Sequence, residues 1–419
     1  MKKSTLIILC LVMMLPAAYA QSGKSVVHFW YLWGGAEGQV MEDNIADFNK
    51  SQTKYEVKGL SVPDMQKIIV GISSGNGPDI TDDFSSNLAS YASKGTMLDL
   101  GPYIAKAKYD IGDFIPAAMQ ACSYDGKTYA LPMSMNFMML FYNRKLFAEV
   151  GLKTPPKTDK EMLEYAIKLT KTNKDGSLAT LGFPDFPIVY YLNHMTTALG
   201  GNFISPDGKK LTPDNAGTIA ALNMLVAYRQ KFGTENVDKF RSSGYLSVND
   251  PFVDGRQAMR IDGAWFGSSV KGALKNTTLD YGVAPLPYPD GHPELARSSL
   301  VDASIFYIPS NAKNKDGAWA FLAWFMGKKQ LARTTSKMGN FPARFSCLED
   351  PIFNSAYDFQ AFAEQARSKN LKTFPAISAQ REYSKIMADE AELAWNLKKS
   401  VPDAMRNAAK LSVDLLNQE

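Results

Sequence analysis

Residues 75–84 read Gly-Asn-Gly-Pro-Asp-Ile-Thr-Asp-Asp-Phe and follow an apolar helical pattern. The residues that share one face of that predicted helix are Met65, Ile68, Ile69 and Ile72. Gly75 suits the left-handed position that ends a helix, and Pro78 prevents the helix from resuming. Ile80 then begins a short buried strand that ends in the acidic and aromatic tip 82–84. Ligands collect at the carboxyl ends of strands in open α/β sheets, so this tip is the first predicted site.

The residues before this stretch predict a parallel sheet. Residues 25–33 (SVVHFWYLW) are typical of a buried strand, and residues 39–48 carry apolar side chains at helical spacing. A second strand is predicted at 55–61, ahead of the helix described above. Strand, helix, strand, helix and strand within such a short stretch favour a doubly wound α/β sheet.

Several longer motifs follow downstream. They read Tyr129-Ala130-Leu131-Pro132, Leu140-Phe141-Tyr142-Asn143, Phe252-Val253-Asp254-Gly255-Arg256-Gln257-Ala258-Met259, Tyr281-Gly282-Val283-Ala284-Pro285-Leu286-Pro287 and Gly339-Asn340-Phe341-Pro342-Ala343-Arg344. With Ser-Gly-Asn-Gly-Pro-Asp-Ile at 74–80, they resemble the extracellular solute-binding proteins of ABC importers, specifically the large sugar-binding family 1. The resemblance covers nearly the whole chain after residue 20.

This resemblance implies a periplasmic binding protein-like α/β fold. Two doubly wound α/β lobes would be joined by a multi-crossing hinge around a central cleft, with each lobe discontinuous in sequence. The expected boundaries are 21–135 plus 285–338 for the N-terminal lobe and 136–284 plus 339–419 for the C-terminal lobe. The implied function is capture of a sugar or short oligosaccharide in the cleft and delivery to ABC permease subunits in the inner membrane.

Three aromatic residues are candidates for stacking on a sugar. Trp33 precedes a Gly-Gly pair at the end of the first strand, Phe84 belongs to the acidic tip, and Trp265 follows a strand and Gly263. Sugars present flat C–H faces that an aromatic ring covers well. The competing interpretation for either tryptophan is packing in the core.

Six polar residues are candidates for hydrogen bonds to the ligand. They are Glu37, Asp82, Asp83, Asn136, Asp302 and Arg344. Asp302 and Ala303 stand where the family usually has two glycines, so Asp302 either bonds the ligand or has a structural turn role. Glu37 is alternatively a helix cap or a solvated side chain, and Asn136 is alternatively structural. Arg344 either forks onto ligand oxygens or forms an interlobe salt bridge.

Residues 1–20 are predicted to be a secretory signal peptide. Lys2 and Lys3 precede an apolar run, and Ala18-Tyr19-Ala20 forms the cleavage pattern. Cys10 lies inside the apolar run and follows Leu9, which argues against lipid attachment. We therefore expect a periplasmic protein without a lipid anchor.

Cleavage after Ala20 lowers the formal charge from +4 to +2, which does not favour nucleic acid as a partner. It also leaves two cysteines, Cys122 and Cys347, which are either paired or two buried thiols. Neither they nor the histidines have the spacing of a metal site. We expect a monomer that needs no cofactor or metal.

The sequence has no phosphate-binding Walker loop and no GxGxxG, and its one GxSxG spacing, Gly-Ile-Ser-Ser-Gly at 71–75, falls at the end of a predicted helix and not on the strand-to-helix turn that a catalytic serine needs. Asp82 and Asp83 are adjacent, and neighbours on a strand point to opposite faces. A glycosidase needs two carboxyls facing one bond, about 5–9 Å apart. We therefore predict a binding protein with no catalytic residues. The alternatives are a secreted glycoside hydrolase and a binding protein for glycerol phosphates or polyamines.

Overall fold

Two sheets organise the residues that the computed structural model describes, which are 23–183, 188–241, 250–267, 279–354 and 358–418. The predicted signal peptide lies outside these residues. The strands are β1 (Ser25–Tyr31), β2 (Tyr55–Ser61), β3 (Ile80–Phe84), β4 (Ser123–Tyr124), β5 (Lys127–Thr128), β6 (Ala130–Asn136), β7 (Met139–Asn143), β8 (Lys171–Thr172), β9 (Leu178–Thr180), β10 (Met259–Asp262), β11 (Tyr281–Ala284), β12 (Ser299–Tyr307) and β13 (Leu371–Thr373).

Helices connect these strands. They span Gly35–Ser51, Met65–Ser73, Leu88–Ala92, Gly101–Ala107, Pro116–Gln120, Arg144–Glu149, Asp159–Leu169, Ile188–Ala198, Ala216–Phe232, Thr234–Arg241, Lys315–Phe325, Lys328–Met338, Phe359–Ala366, Gln380–Trp395 and Val401–Leu411. Short 3-10 turns lie at Ser85–Asn87, Pro293–Leu295, Phe345–Cys347, Pro351–Phe353 and Leu415–Gln418. Among the described residues, no helix has both the length and the apolar character needed to cross a lipid bilayer.

The local signals that the sequence carries are confirmed at two helix ends. The helix Met65–Ser73 is followed by Gly75, whose φ of +76° is the left-handed conformation predicted there. Thr158 caps the helix Asp159–Leu169: its hydroxyl accepts from the Glu161 backbone while the Glu161 carboxylate accepts from the Thr158 backbone.

The first sheet carries helices on both faces, as a doubly wound fold requires. Its order is β13-β12-β3-β1-β2, with β6 also paired to β12. Strand β1 is parallel to β2 and β3, whereas β12 is antiparallel to β3 and β6. One face packs Val27 and Phe29 against the helix Lys315–Phe325, and the other packs Ile305 with Ile68 from the helix Met65–Ser73.

The second sheet is antiparallel throughout its three described strands, in the order β10-β7-β11. It therefore lacks the parallel pairs that a doubly wound lobe has. Strand β6 ends at Asn136 and β7 begins at Met139, so the chain passes from the first sheet to the second within two residues. It returns between Ala284, which ends β11, and Ser299, which begins β12.

The lobe boundaries stay a prediction, although contacts after residue 338 bear on them. The backbone N–H groups of Ile115 and Met135 donate to the carbonyls of Ala343 and Phe341, at 2.9 Å each. Strand β13 pairs with β12 of the first sheet. Part of the segment that was assigned to the C-terminal lobe thus contacts the N-terminal lobe.

Cys122 and Cys347 are both buried free thiols. Cys122 lies in the cluster beneath the helices Met65–Ser73 and Leu88–Ala92, and Cys347 lies in the cluster on the opposite face of the first sheet. Of the two alternatives left by the sequence, the structure therefore has the unpaired one.

Arg344 is a buried anchor beside the first sheet, although it falls in the segment 339–419 predicted for the C-terminal lobe. Its guanidinium donates to the Met326 carbonyl (2.8 Å), the Asp113 carboxylate (3.0 Å) and the Tyr109 hydroxyl (2.8 Å). It also lies 3.8 Å from the centroid of the Phe114 ring. The side chain joins its own segment to Met326 and to residues 109–114, and these contacts use its donors.

We expect Arg344→Met to lower the free energy of unfolding by about 3 kcal/mol, because it leaves buried acceptors without their charged donor. The matched control is Arg406→Met, since Arg406 pairs with Asp403 on an exposed helix surface. The control should change stability by less than about 0.5 kcal/mol. Urea denaturation at neutral pH measures both, and equal losses would contradict the anchor role.

Candidate functional site

Strand β12 brings five of the predicted residues together, since Phe84 of β3 also lies opposite its Ser304. Asp302 lies opposite Asn136 of β6, while Phe306 lies opposite Asp82 of β3 and Ile305 opposite Asp83. Because β12 pairs on both sides, residues more than a hundred positions apart in sequence meet at one end of the first sheet.

Trp33 lies beside this group, immediately beyond β1. Its ring stacks on Phe306 of β12, with 5.9 Å between centroids and 23° between planes. The indole is only partly buried, so one part packs on the core and another is accessible. Glu37 lies in the first turn of the helix Gly35–Ser51 with its side chain exposed, and partial desolvation raises the pKa of its carboxyl.

Asp82 holds the ends of two strands together. The side chain is buried, and its Oδ1 accepts a 2.9 Å hydrogen bond from the backbone N–H of Leu32, just after β1. Burial raises the pKa of this carboxyl well above its usual range, more than the Leu32 bond lowers it. This geometry gives Asp82 a structural role at the site's base.

Asp83 points to the opposite face of the sheet. Its Oδ1 accepts hydrogen bonds from Asn87 Nδ2 at 2.8 Å and from the Phe84 backbone at 2.6 Å. Burial raises the pKa of the Asp83 carboxyl to about 6, although the bond from Asn87 and the charge of Arg381 act in the other direction. The two adjacent carboxylates therefore cannot act on one bond.

Phe84, at the end of the strand, is 39% exposed.

A cavity of about 250 Å³ opens at Asp302. Its walls combine hydroxyls, amides, one carboxylate and one aromatic ring. The lining residues are Ser85, Ser86, Leu88, Ala89, Gln120, Ala121, Ser123, Asn193, Leu300, Val301, Asp302, Thr373, Phe374, Ala376, Gln380 and Ser384. These lining residues include no Lys or Arg.

Asp302 is held in place within this cavity. Its Oδ1 accepts from the Ser85 hydroxyl and, at 2.8 Å, from the Ala303 backbone. Burial raises the pKa of its carboxyl, while these hydrogen bonds lower it. Asn136, opposite in β6, donates a 3.4 Å hydrogen bond to the Ser304 hydroxyl. Asp302 therefore contributes an oriented acceptor to the cavity wall.

Trp265 lies on the second-sheet side of the crossing. It follows β10, whose last residue, Asp262, pairs with Met139 just beyond the end of β6. The indole is partly buried and covers Gly263, where an added Cβ would lie 2.3 Å from the ring. Gly263 is therefore required for this ring position.

Arg344, by contrast, is committed to the contacts described above, so we leave it out of the proposed site.

Sequence reasoning missed most of the cavity wall. Ser85 directly follows the predicted tip and was within reach of the strand-end argument. Gln380 and Ser384 lie one turn apart at the start of the helix Gln380–Trp395, and Phe374 stacks on Phe203 at 4.7 Å between centroids. Nothing in their spacing relates them to the tip. The sequence also predicts that a loop beginning at Gly182-Phe183-Pro184 could reach the ligand, but residues 184–187 and the side chains of 188–191 lie outside the described part of the chain.

Comparison with known proteins gives a consistent result. A family model described as bacterial extracellular solute-binding protein matches residues 30–332. A maltotriose-binding protein from Pyrococcus abyssi is 26% identical over 79% of this chain and 69% of its own length. A galactooligosaccharide-binding protein from Bacillus subtilis is 24% identical over 78% of this chain and 75% of its own. The solved structure of CpMnBP1 with mannobiose bound has a TM-score of 0.79 and 27% identity, and the match covers 93% of this chain and all of that one.

The raised pKa of the Asp83 carboxyl makes the free energy of unfolding depend on pH. In an unfolded chain the group titrates near pH 3.9, so between roughly pH 4 and 6 the folded state binds more protons. Its contribution to stability is therefore lost as the pH rises through this window. We expect Asp83→Asn to gain stability relative to the wild type from about pH 4.5 to 7 and then to level off.

The measurement is the difference in unfolding free energy between variant and wild type at each pH. Burial lowers the pKa of His194 to about 3, which gives a slope of the opposite sign over part of this window, but that slope cancels in the difference. The control is Asp207→Asn, because the pKa of this exposed carboxyl is lowered by its bond from Ser205. Its difference should stay flat above about pH 5. A flat difference for Asp83→Asn would refute the raised pKa.

Proposed function

Because the chain belongs to the bacterial extracellular solute-binding protein family, we propose that it captures a sugar or short oligosaccharide between its lobes for an ABC importer. The observation that carries this proposal is the cavity at Asp302. A sugar offers many hydroxyl donors and acceptors but no net charge. Serine hydroxyls, Asn193, Gln380 and an oriented carboxylate provide matching partners, and Phe374 adds an apolar surface.

The relatives support a carbohydrate ligand. Those described above bind maltotriose, galactooligosaccharide and mannobiose by name. We infer that Asp302 selects hydroxyl groups in this chain, since a carboxylate accepts strong hydrogen bonds. Trp33, Phe84 and Trp265 are proposed to border the same cleft, together with Glu37 and Asn136.

The rival ligands fit the cavity less well. A glycerol phosphate needs cationic partners, and the described residues that line the cavity include no Lys or Arg. A polyamine would need several carboxylates, and the lining provides one. A glycosidase needs a facing carboxyl pair, whereas Asp82 and Asp83 face opposite sides of β3. We therefore propose a binding protein without catalysis.

The remaining functional steps follow from binding. Ligand contacts from both lobes would favour the closed arrangement, which is a population shift driven by differential affinity. We propose that this form is recognised by the permease subunits in the inner membrane. The protein would act as a monomer in the periplasm, without a cofactor or lipid anchor.

A thermal-shift screen of the purified mature protein tests the ligand class. The probes are mannobiose, maltotriose, galacto-oligosaccharides, glycerol phosphates and spermidine. A ligand present at a hundredfold above its Kd stabilises the folded state by about 2.7 kcal/mol. We expect one of the sugars to do so without being converted to products. Turnover of the sugar would favour the hydrolase, and a shift with glycerol phosphate or spermidine alone would replace the sugar proposal.

Titration calorimetry with the responding sugar then tests the site residues. Asp302→Asn removes the charge but keeps an Oδ1 acceptor, and we expect it to weaken binding by about tenfold or more. Trp265→Ala should also weaken binding through loss of the stacking surface. Asp207→Asn serves as the control because Asp207 is exposed in a loop. Unchanged affinity in Asp302→Asn would remove Asp302 from the site.

Export provides a separate test. We expect the periplasmic protein to begin at Gln21, because cleavage follows the Ala18-Tyr19-Ala20 pattern. The intact mass of protein recovered from a periplasmic extract measures this directly. A mass that retains residues 1–20 would contradict both the cleavage site and the absence of an anchor.

A further inference from the structure

Arg381 links the two lobes at the edge of the cavity. It lies in the first turn of the helix Gln380–Trp395, whose residues Tyr383, Met387 and Trp395 belong to the core cluster of the second lobe. Its guanidinium nevertheless bonds to residues that follow β3 of the first sheet. Nε donates to Asn87 Oδ1 at 2.8 Å, and Nη2 donates to the Tyr91 hydroxyl at 3.2 Å.

The first-lobe partners, Asn87 and Tyr91, are held in position by contacts that do not involve Arg381. The Asn87 amide donates through Nδ2 to the buried Asp83 carboxylate at 2.8 Å, which leaves Oδ1 directed at Arg381. The Tyr91 ring packs 6.3 Å from the ring of Tyr307 in β12. Because Asn87 and Tyr91 are already ordered, their conformational entropy falls little when Arg381 binds to them.

The link coincides with the cavity wall. Gln380 and Ser384, on either side of Arg381 in the same helix, line the cavity from the second lobe. Ser85 and Ser86, just before Asn87, line it from the first. A bond between Arg381 and Asn87 therefore spans the gap that must widen whenever the cavity opens.

We propose that Arg381 is a positioning residue that holds the two lobes together over the cavity and so sets the ratio of closed to open protein. The link itself does not depend on the proposed function, but its consequence for the ligand rests on that function. A ligand that binds the closed form dissociates more slowly when the ratio of closed to open protein is high. Arg381 acts through Asn87 and Tyr91 and makes no contact with the ligand.

The effect should be moderate because Arg381 is an exposed residue. Hydrogen bonds of this kind have modest net strength, so we expect Arg381→Gln to shift the closed-to-open ratio about three- to tenfold toward open protein. Lys385→Gln is the matched control. It removes the same charge one turn further along the same helix, where Lys385 pairs only with Asp389 of that helix among the ion pairs of the described residues.

The deciding experiment uses the full mature chain without ligand. Spin labels at Lys58→Cys in β2 and Lys153→Cys beyond the helix Arg144–Glu149 report the interlobe distance by double electron–electron resonance. Both native thiols are buried and should not be labelled. We expect Arg381→Gln to move population to the longer distance, while Lys385→Gln matches the parent. Identical distributions for Arg381→Gln and the parent would overturn the proposal.

A double-mutant cycle separates a specific link from a general loss of charge. Tyr91→Phe keeps the ring and removes the hydroxyl, which accepts from Arg381 and also donates to Met65 Sδ at 3.6 Å. If the link acts as proposed, Arg381→Gln should shift the ratio less in the Tyr91→Phe background than in the parent. Strict additivity would argue against it.

Mannobiose serves as the ligand probe in a second arm. Its dissociation rate should rise about three- to tenfold in Arg381→Gln, with little change in the association rate. A changed distance distribution without mannobiose binding would leave the Arg381 link supported and count against this sugar as the ligand. Mannobiose binding with unchanged distances and rates would support the proposed function and overturn the link.

Discussion

The double pairing of strand β12 is the constraint on which the site depends. β12 joins β3 along one edge and β6 along the other, and its residues 303–307 are buried. A strand in this position must satisfy its backbone hydrogen bonds on both sides, so its register is closely specified. That register places Asp302 opposite Asn136. A shift of one residue would turn Asp302 toward the opposite face of the sheet.

Burial shifts the pKa of the three carboxylates of this region in the same direction, but their hydrogen-bond partners give them different roles. Desolvation raises the pKa of Asp82, Asp83 and Asp302. Asp82 binds the Leu32 backbone and ties β1 to β3, whereas Asp83 orients Asn87. Asp302 alone lines the cavity among these three. Perturbed acids cluster at functional sites, and here two of the three support the site mechanically while the third is available to a ligand.

The cavity at Asp302 and the hydrogen bond between Arg381 and Asn87 are close together in this structure. The helix Gln380–Trp395 contributes Gln380 and Ser384 to the cavity and Arg381 to Asn87 of the other lobe. Contacts made by a ligand and contacts made by Arg381 would therefore favour the same arrangement of the lobes, and their free energies would act on one equilibrium. A moderate direct link leaves the ligand in control, because a link that was too strong would keep the cavity closed to entry.

The sequence by itself determined the elements whose signals are local. Gly75 and Pro78 end one helix, and Thr158 and Glu161 begin another. Strand β2 has the predicted bounds 55–61, and β3 begins at Ile80 as predicted. The motifs also identified the family and, by the departure from its glycines, singled out Asp302, while the position at a strand end pointed to Asp82 and Asp83. These features depend on backbone preferences and short spacings that a linear sequence records directly.

Only the tertiary structure decided which of those residues line the cavity at Asp302. Arg344 became a buried anchor because Asp113 and the Met326 carbonyl surround its guanidinium. Gln380, Ser384 and Arg381 reached the cavity edge because their helix packs on the second lobe and faces the first. Contacts of this kind join residues almost 300 positions apart, as between Arg381 and Asn87. Such contacts follow from how the two lobes pack, and no local pattern of residues in the sequence predicts them.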